Sequence, residues 1–410
     1  MSMDRNACLA LDARDPIAHL RDRFVMPEGE IYLSGNSLGC LPKSVAPRLV
    51  QAVSQEWGTG LIRSWNEAGW YLAPQRVGAR IAALIGAGAD DVIAADSTSV
   101  NLFKVLAAGL RLRAGRSKIL AVAGDFPTDS YIAQGIAAFA DVRFIRVNAD
   151  DLIASIDEDV AIISLTHVNY RSGFIHDMGA ITQAAHDKGA LSVWDLSHSA
   201  GAMDLHVDAL RADFAVGCGY KYLNGGPGAP AYVFVAKRHQ SPFHHPLTGW
   251  LGHADPFAFA EEFTPAAGMD KVLSGTPPIL SLLALDAALD VFDGVKMEQV
   301  RAKSQSLTGL FVSLADERLL GHGFVLASPR DASVRGAQVS LAHEHGSAIC
   351  QVLIGRGVIG DFRAPDLVRF GLAPVTTRHI DVYDAVDIID SVMKARAWDV
   401  PAFKSRKAVT

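Results

Sequence analysis

The sequence predicts an α/β protein: a large domain whose mostly parallel sheet is covered by helices, joined to a smaller C-terminal α/β domain. Three observations carry this reading. From about residue 78, helical stretches alternate with short apolar runs, the pattern of strands buried on both faces. Polar loops repeatedly follow those runs. The 410 residues, 50% of them apolar and 20% charged, exceed what one core holds, so two domains are expected. The boundaries read as an arm, 1–43, packing on the small domain, then a large domain, 44–290, and a small domain, 291–410.

Taken in order, residues 15–24 read as a helix, and Ile31-Tyr32-Leu33 as a short strand ending in the polar, glycine-flanked loop 34–39. A helix is expected over 44–57. The segment 58–66 mixes aromatic and cationic side chains, which suits a ligand rim or a subunit contact. The alternation then gives helix 78–86, strand 91–95, helix 100–112, strand 118–123, a helix from Ser130 and strand 142–147. It continues with a helix near 149–156, strand 160–165, helix 179–188 and strands 191–194, 213–217 and 231–235. After Pro277-Pro278, helices 280–292 and 297–315 lead to strands near 323–327, 335–342 and 367–371, with helices 346–356 and 379–396 between and after them. Residues 399–410 read as a loose polar end. Parallel sheets bind ligands beyond the carboxyl ends of their strands, so the polar loops after the strands are expected to converge on one edge.

Composition excludes several classes. Against 38 basic residues stand 44 acidic ones, a net charge of −6, which argues against a nucleic-acid partner. Cys8, Cys40, Cys218 and Cys350 are scattered, without a Cys-x-x-Cys pair, so neither disulfides nor structural zinc is expected. His244, His245 and His253 cluster near Trp250 without suitably spaced carboxylates or thiolates, and His343-Glu344-His345 lacks helical zinc-motif spacing. No metal is expected. Residues 1–23 carry alternating charges rather than a signal-peptide core, and no apolar run could cross a bilayer. A cytoplasmic protein with no membrane partner is the expectation.

The chemistry centres on Lys221, which follows a buried strand and opens the turn Lys221-Tyr222-Leu223-Asn224-Gly225-Gly226-Pro227-Gly228. A lysine amine freed of its proton attacks aldehydes, and the glycines allow close approach of a planar ligand; many strand-end lysines are simply solvated. Asp195 ends another strand, 26 residues earlier. It could cap a helix, ligate a metal or pair with a pyridinium, the last worth about 5 kcal/mol before desolvation at an effective dielectric of about 20. Ser97-Thr98-Ser99 opens a helix and suits either a phosphate or a plain cap. Phe126 could stack on a ring or pack in the core. Asp129 could bind a cofactor hydroxyl or cap its helix, and His198 could contact a cofactor or sit buried and satisfied. Nucleotide-type glycine motifs and Gly-x-Ser-x-Gly are absent.

Together these residues resemble the pyridoxal-phosphate enzymes of the aspartate-aminotransferase fold (fold type I), and within them the kynureninase family. The resemblance is carried by Leu33-Ser34-Gly35-Asn36-Ser37-Leu38-Gly39, Phe126-Pro127-Thr128-Asp129, Asp195-Leu196-Ser197-His198-Ser199-Ala200-Gly201 and Gly219-Tyr220-Lys221-Tyr222-Leu223-Asn224-Gly225-Gly226-Pro227-Gly228. Gly249-Trp250, Gly275-Thr276-Pro277-Pro278 and Arg369-Phe370-Gly371 extend it over nearly the whole chain. Cysteine desulfurases differ, typically having Gln where His198 stands and His where Tyr220 stands.

The resemblance implies pyridoxal 5'-phosphate as cofactor, linked to Lys221, which also moves protons at the substrate Cα. It implies that Asp195 pairs with the pyridinium and Phe126 stacks on the ring, with Pro127 and Thr128 beside it. Thr98, Ser99, Tyr220, Trp250 and Thr276 are implied on the phosphate, the last two reaching in from the second subunit of a homodimer. Asp129, Thr166 and His198 complete the cofactor environment. Arg369 is implied as the clamp for the substrate α-carboxylate, and Asn36, Ser37 and Trp65 as aryl-side contacts. The implied reaction is hydrolytic Cβ–Cγ cleavage of L-kynurenine, with its 3-hydroxy form a further candidate, to anthranilate and L-alanine. Tyr220 is the candidate acid–base in the later proton transfers. Two alternatives stand beside it: a cysteine desulfurase, for which Cys350 is the candidate thiol, and a non-catalytic cofactor-binding relative.

Overall fold

The computed structural model describes residues 3–400 and 403; the end of the expected loose tail, 404–410, lies outside the described residues. The large sheet has seven strands: β1 (Val92–Ala94), β2 (Lys118–Val122), β3 (Arg143–Val147), β4 (Val160–Thr166), β5 (Leu191–Asp195), β6 (Phe214–Cys218) and β7 (Ala231–Val235). Their order is β1-β7-β6-β5-β4-β2-β3, and only β7 runs antiparallel to its neighbours. β4 to β7 are buried at every position, because helices cover both faces and the strands are mostly apolar rather than alternating.

Ten α-helices of seven or more residues accompany the sheets among the described residues: α1 (Arg5–Arg14), α2 (Val45–Gln51), α3 (Ala73–Ile85), α4 (Thr98–Leu112), α5 (Pro127–Ala140), α6 (Met178–Asp187), α7 (Ile279–Ala288), α8 (Met297–Arg318), α9 (Gly346–Gly355) and α10 (His379–Lys394). None is long and apolar enough to cross a membrane. α3 shows how sequence sets the packing. Val77, Ile81 and Ile85 recur at helical spacing and are buried, and the helix stops at Gly86 with φ +67°. A Cβ at Gly86 would meet the carbonyl oxygen of Leu205 at 2.4 Å, so only glycine fits this left-handed stop.

The C-terminal sheet has the order β8 (Val325–Leu326), β9 (Gln338–Ala342), β11 (Leu367–Gly371), β10 (Asp361–Arg363), all antiparallel. α8, α9 and α10 build its core with Phe311, Ile349, Val368 and Ile389. The N-terminal residues join this core: Cys8 and Leu33 are buried in it. Asp12 accepts from His379 N and Ile380 N, and Lys303 forms a buried pair with Asp15 at 2.6 Å. Ile31–Tyr32 pairs in parallel with Val358–Ile359.

Departures from the sequence reading have local causes. The helix expected over 15–24 lies earlier, as α1, capped by Asp4. Pro16 forces Asp15 into an extended conformation (ψ 115°) and ends the helix there; a short 3-10 helix, Ala18–Arg23, follows. The helix near 149–156 is two single 3-10 turns. The 44–57 helix widens after Gln51 into π-type turns, Ala52–Gly60.

Candidate active site

The parallel strands carry their polar termini to one edge, as the topology requires. There a cavity of about 190 Å³ is lined by Ser97, Thr98, Ser99, Phe126, Thr128, Asp129, Asp195, Ser197, Cys218, Tyr220 and Lys221, with Ala229 and Ala231. Each long-range partner comes from a different strand end. Ser97 caps α4 by accepting from Val100 N, so the first-turn N–H groups of Thr98 and Ser99 have no helical partner and face a site suited to an anion.

Lys221 sits in a tight turn in which Asn224 N donates to Lys221 O and Gly225 N to Gly219 O, both at 2.9 Å. The loop 34–39 seals this turn: Gly39 N donates to Tyr220 O at 2.8 Å. A Cβ at Gly39 would lie 2.3 Å from Lys221 O, which explains a glycine there. The Lys221 Nζ is 5.8 Å from the Phe126 ring centroid and 5.9 Å from that of Tyr220.

Asp195 and Asp129 line the cavity with this amine, and Asp125 lies four residues before Asp129 in the same strand-end segment. Asp195 is buried, with Oδ1 accepting from Ser197 N at 2.7 Å. Asp129 is buried beside it; burial, and then the charges of Asp195 and Asp125, hold its carboxyl well above the usual range. Asp125 accepts from both N and Oγ1 of Thr166 at 3.0 and 2.8 Å. Burial pushes it up to about 6, against the pull of those hydrogen bonds. His198 is buried, and desolvation followed by the charges of Lys221 and Arg369 keeps its imidazole neutral. Its Nδ1 has no partner. Burial, then Cys218, raises the Tyr220 phenol, making it a proton holder.

Arg369, in β11, is buried. Its Nε donates to Asp361 Oδ1 at 2.7 Å and its Nη2 to Asp361 Oδ2. Nη1 donates to the carbonyl of Tyr170, whose ring stands edge-on to Phe126 with centroids 5.3 Å apart. Ser37 donates to Asp361 and so belongs to this arginine cluster. Asn36 donates to Gln338 Oε1 at 3.2 Å.

Not every expected residue comes to the cavity. Thr166 spends its donors on Asp125, and Pro127 serves as the first residue of α5. Trp65 packs edge-on against Trp70, with centroids 6.1 Å apart, near Ala52 and Leu283. Trp250 and Thr276 are exposed and line no part of the cavity. Conversely, Asp125, Tyr170, Gln338, Asp361 and Arg363 contact expected site residues without having been singled out. Asp125 and Tyr170 stood in strand-end loops; Gln338, Asp361 and Arg363 are placed by contacts of the C-terminal sheet that local sequence does not reveal.

The residues fit pyridoxal phosphate. Asp195 lines the same cavity as Lys221 and can pair with a cationic ring nitrogen, the free α4 N–H groups suit a phosphate, and the buried His198 Nδ1 has no partner among the described residues.

The fold matches solved structures of one class. A cysteine desulfurase of Escherichia coli superposes with a TM-score of 0.78 at 19% identity, covering 92% of this chain and 98% of that one. A cysteine desulfurase of Thermococcus onnurineus gives 0.76 at 18%, covering 92% and 98%. Sequence narrows the class. Kynureninase of Burkholderia mallei (strain SAVP1) is 48% identical over 99% of both chains, and kynureninase of Pseudomonas fluorescens is 46% identical over the same share. Residues 300–389 match the kynureninase C-terminal domain. The chain belongs to the kynureninase family.

Proposed function

We infer that the protein is a pyridoxal-phosphate-dependent hydrolase that cleaves the Cβ–Cγ bond of L-kynurenine, with the 3-hydroxy form as a second substrate, giving anthranilate and L-alanine. The observation that carries this is the grouping of Lys221, Asp195 and Asp129 at one strand edge, in a chain of this family. When bound, the cofactor supplies the electron sink for the carbanion chemistry. The chain's residues do the rest. Asp195 would pair with the ring nitrogen, Phe126 would stack on the ring, and Asp129, Thr166 and His198 would complete the cofactor's surroundings. Thr98 and Ser99 hold the phosphate with Tyr220. Lys221 takes the proton from the substrate Cα and returns it, and Tyr220, as the proton holder, protonates the departing Cβ. Arg369 fixes the α-carboxylate, and Asn36, Ser37 and Trp65 are the aryl-side candidates.

The same reading makes the protein a cytoplasmic homodimer. Four free cysteines support a reducing compartment. The exposure of Trp250 and Thr276, and a cavity below the roughly 300–1,000 Å³ usual for ligand sites, support a second subunit supplying the missing wall. We read 1–43 as the arm, 44–290 as the large domain and 291–410 as the small one. A desulfurase role is disfavoured by Cys350, which is buried in α9 with its thiol pushed up to about 12 by burial, too high for a nucleophilic thiolate. Turnover in oxygen-18 water tests the reaction class: one label in the anthranilate carboxylate is expected. Unlabelled product would exclude hydrolysis at the γ-carbonyl.

A further inference from the structure

Arg369 does not stand alone. Asp361 lies directly opposite it across the β10–β11 pair, and strand alternation puts Arg363, two residues on, on the same face. Asp361 is buried and accepts from four donors: Arg369 Nε and Nη2, Arg363 Nη2 at 3.0 Å and Ser37 Oγ. The lateral edge of Arg369, the edge that would grip a carboxylate bidentately, is therefore occupied. Its Nη2 also reaches Ser37 Oγ at 3.3 Å and its Nη1 donates to Tyr170 O. Of the five N–H donors of a guanidinium, four have protein partners and one, on Nη1, does not.

Arg363 is the complement. Its side chain is 42% exposed, against 2% for Arg369. Its Nη2 donates to Asp361 and, at 3.4 Å, to Ser37, while Nε and Nη1 have no protein partner among the described residues. It reaches the same groups as Arg369: the Nη2 atoms of both arginines donate to Asp361 Oδ2 and to Ser37 Oγ. The cluster holds two positive charges and one negative, so one bound carboxylate brings it to neutrality.

We propose that Arg363 is the second arm of the substrate-carboxylate site, the free end of Arg369 and the half-exposed Arg363 sharing one α-carboxylate, with Asp361 as the positioning residue that holds both. This rests on the kynurenine reading above. It extends the single-arginine clamp implied by the family resemblance.

The test is Arg363→Gln in the holoenzyme, a half-exposed position that can change without emptying the core. Affinities for L-kynurenine and for its amine analogue lacking the α-carboxylate are measured by cofactor absorbance. Kynurenine is expected to bind about tenfold more weakly, the amine within about twofold of wild type, and cofactor affinity to be unchanged. Arg363→Lys should recover part of the loss, through charge without the planar fork. Equal weakening of both ligands, or of neither, overturns the proposal. A wild-type enzyme that released no anthranilate would count against the reaction, while the paired affinities would still read the arginine.

Discussion

The ammonium of Lys104, fully buried on α4, donates to Asp96 Oδ2 and to the carbonyl of Val272, each at 2.6 Å. Burial lowers its pKa, opposed by Asp96. This pair ties the residue just before the Ser97-Thr98-Ser99 turn, itself held at φ +48°, to the segment that leads to Thr276. A side chain remote from the chemistry thus fixes the anion-binding helix start.

Lys104→Met is therefore expected to cost about 2–3 kcal/mol of stability, because it leaves an acceptor buried and a partly buried carboxylate unpaired. Pyridoxal phosphate should also bind more weakly. Denaturant unfolding and a cofactor titration check both; unchanged values would show that the tie is dispensable.

Lys221→Ala should retain a cofactor pocket but lose the covalent attachment. After borohydride reduction, intact-mass measurement should find cofactor mass on the wild-type chain and none on the variant. Cofactor mass on the variant would point to another lysine.

Asp125 gives a pH signature. Its carboxyl sits at about 6 in the folded protein against an ordinary 3.8, so between those values the fold holds a proton that the unfolded chain has released. Stability must then fall as pH rises from about 4 to 6, by roughly 3 kcal/mol for two pKa units. The cofactor-free wild type should lose this much relative to Asp125→Asn across that window. A constant difference between the two proteins would contradict the buried, proton-holding state.

Trp250 tests the shared site. Trp250→Ala and Lys221→Ala, each inactive or nearly so alone, should complement on subunit exchange, because one site of the mixed dimer regains both residues. Roughly a quarter of wild-type activity is expected for statistical mixing of a twofold dimer. No recovery would place Trp250 outside the partner's site.

Much of this was legible in the sequence, and for identifiable reasons. Strands β4 to β7 announce themselves as continuous apolar runs, and Lys221, Asp195 and Phe126 are legible because each lies within a few residues of a strand end that topology carries to one edge. What stayed hidden depends on distance in sequence or on packing competition. The Asp361–Arg369 pairing exists only once β10, a three-residue strand, folds against β11. Gln338 meets Asn36 across 302 residues. Trp65, given an aryl-side role only by the resemblance, packs edge-on against Trp70 five residues on, a contact that no motif announces.

Anthranilate fluorescence on mixing the purified protein, pyridoxal phosphate and L-kynurenine is the most direct single measurement. Prompt fluorescence growth with alanine formed in equal amount is the predicted result. A cofactor-loaded protein that leaves kynurenine intact would contradict the assigned reaction.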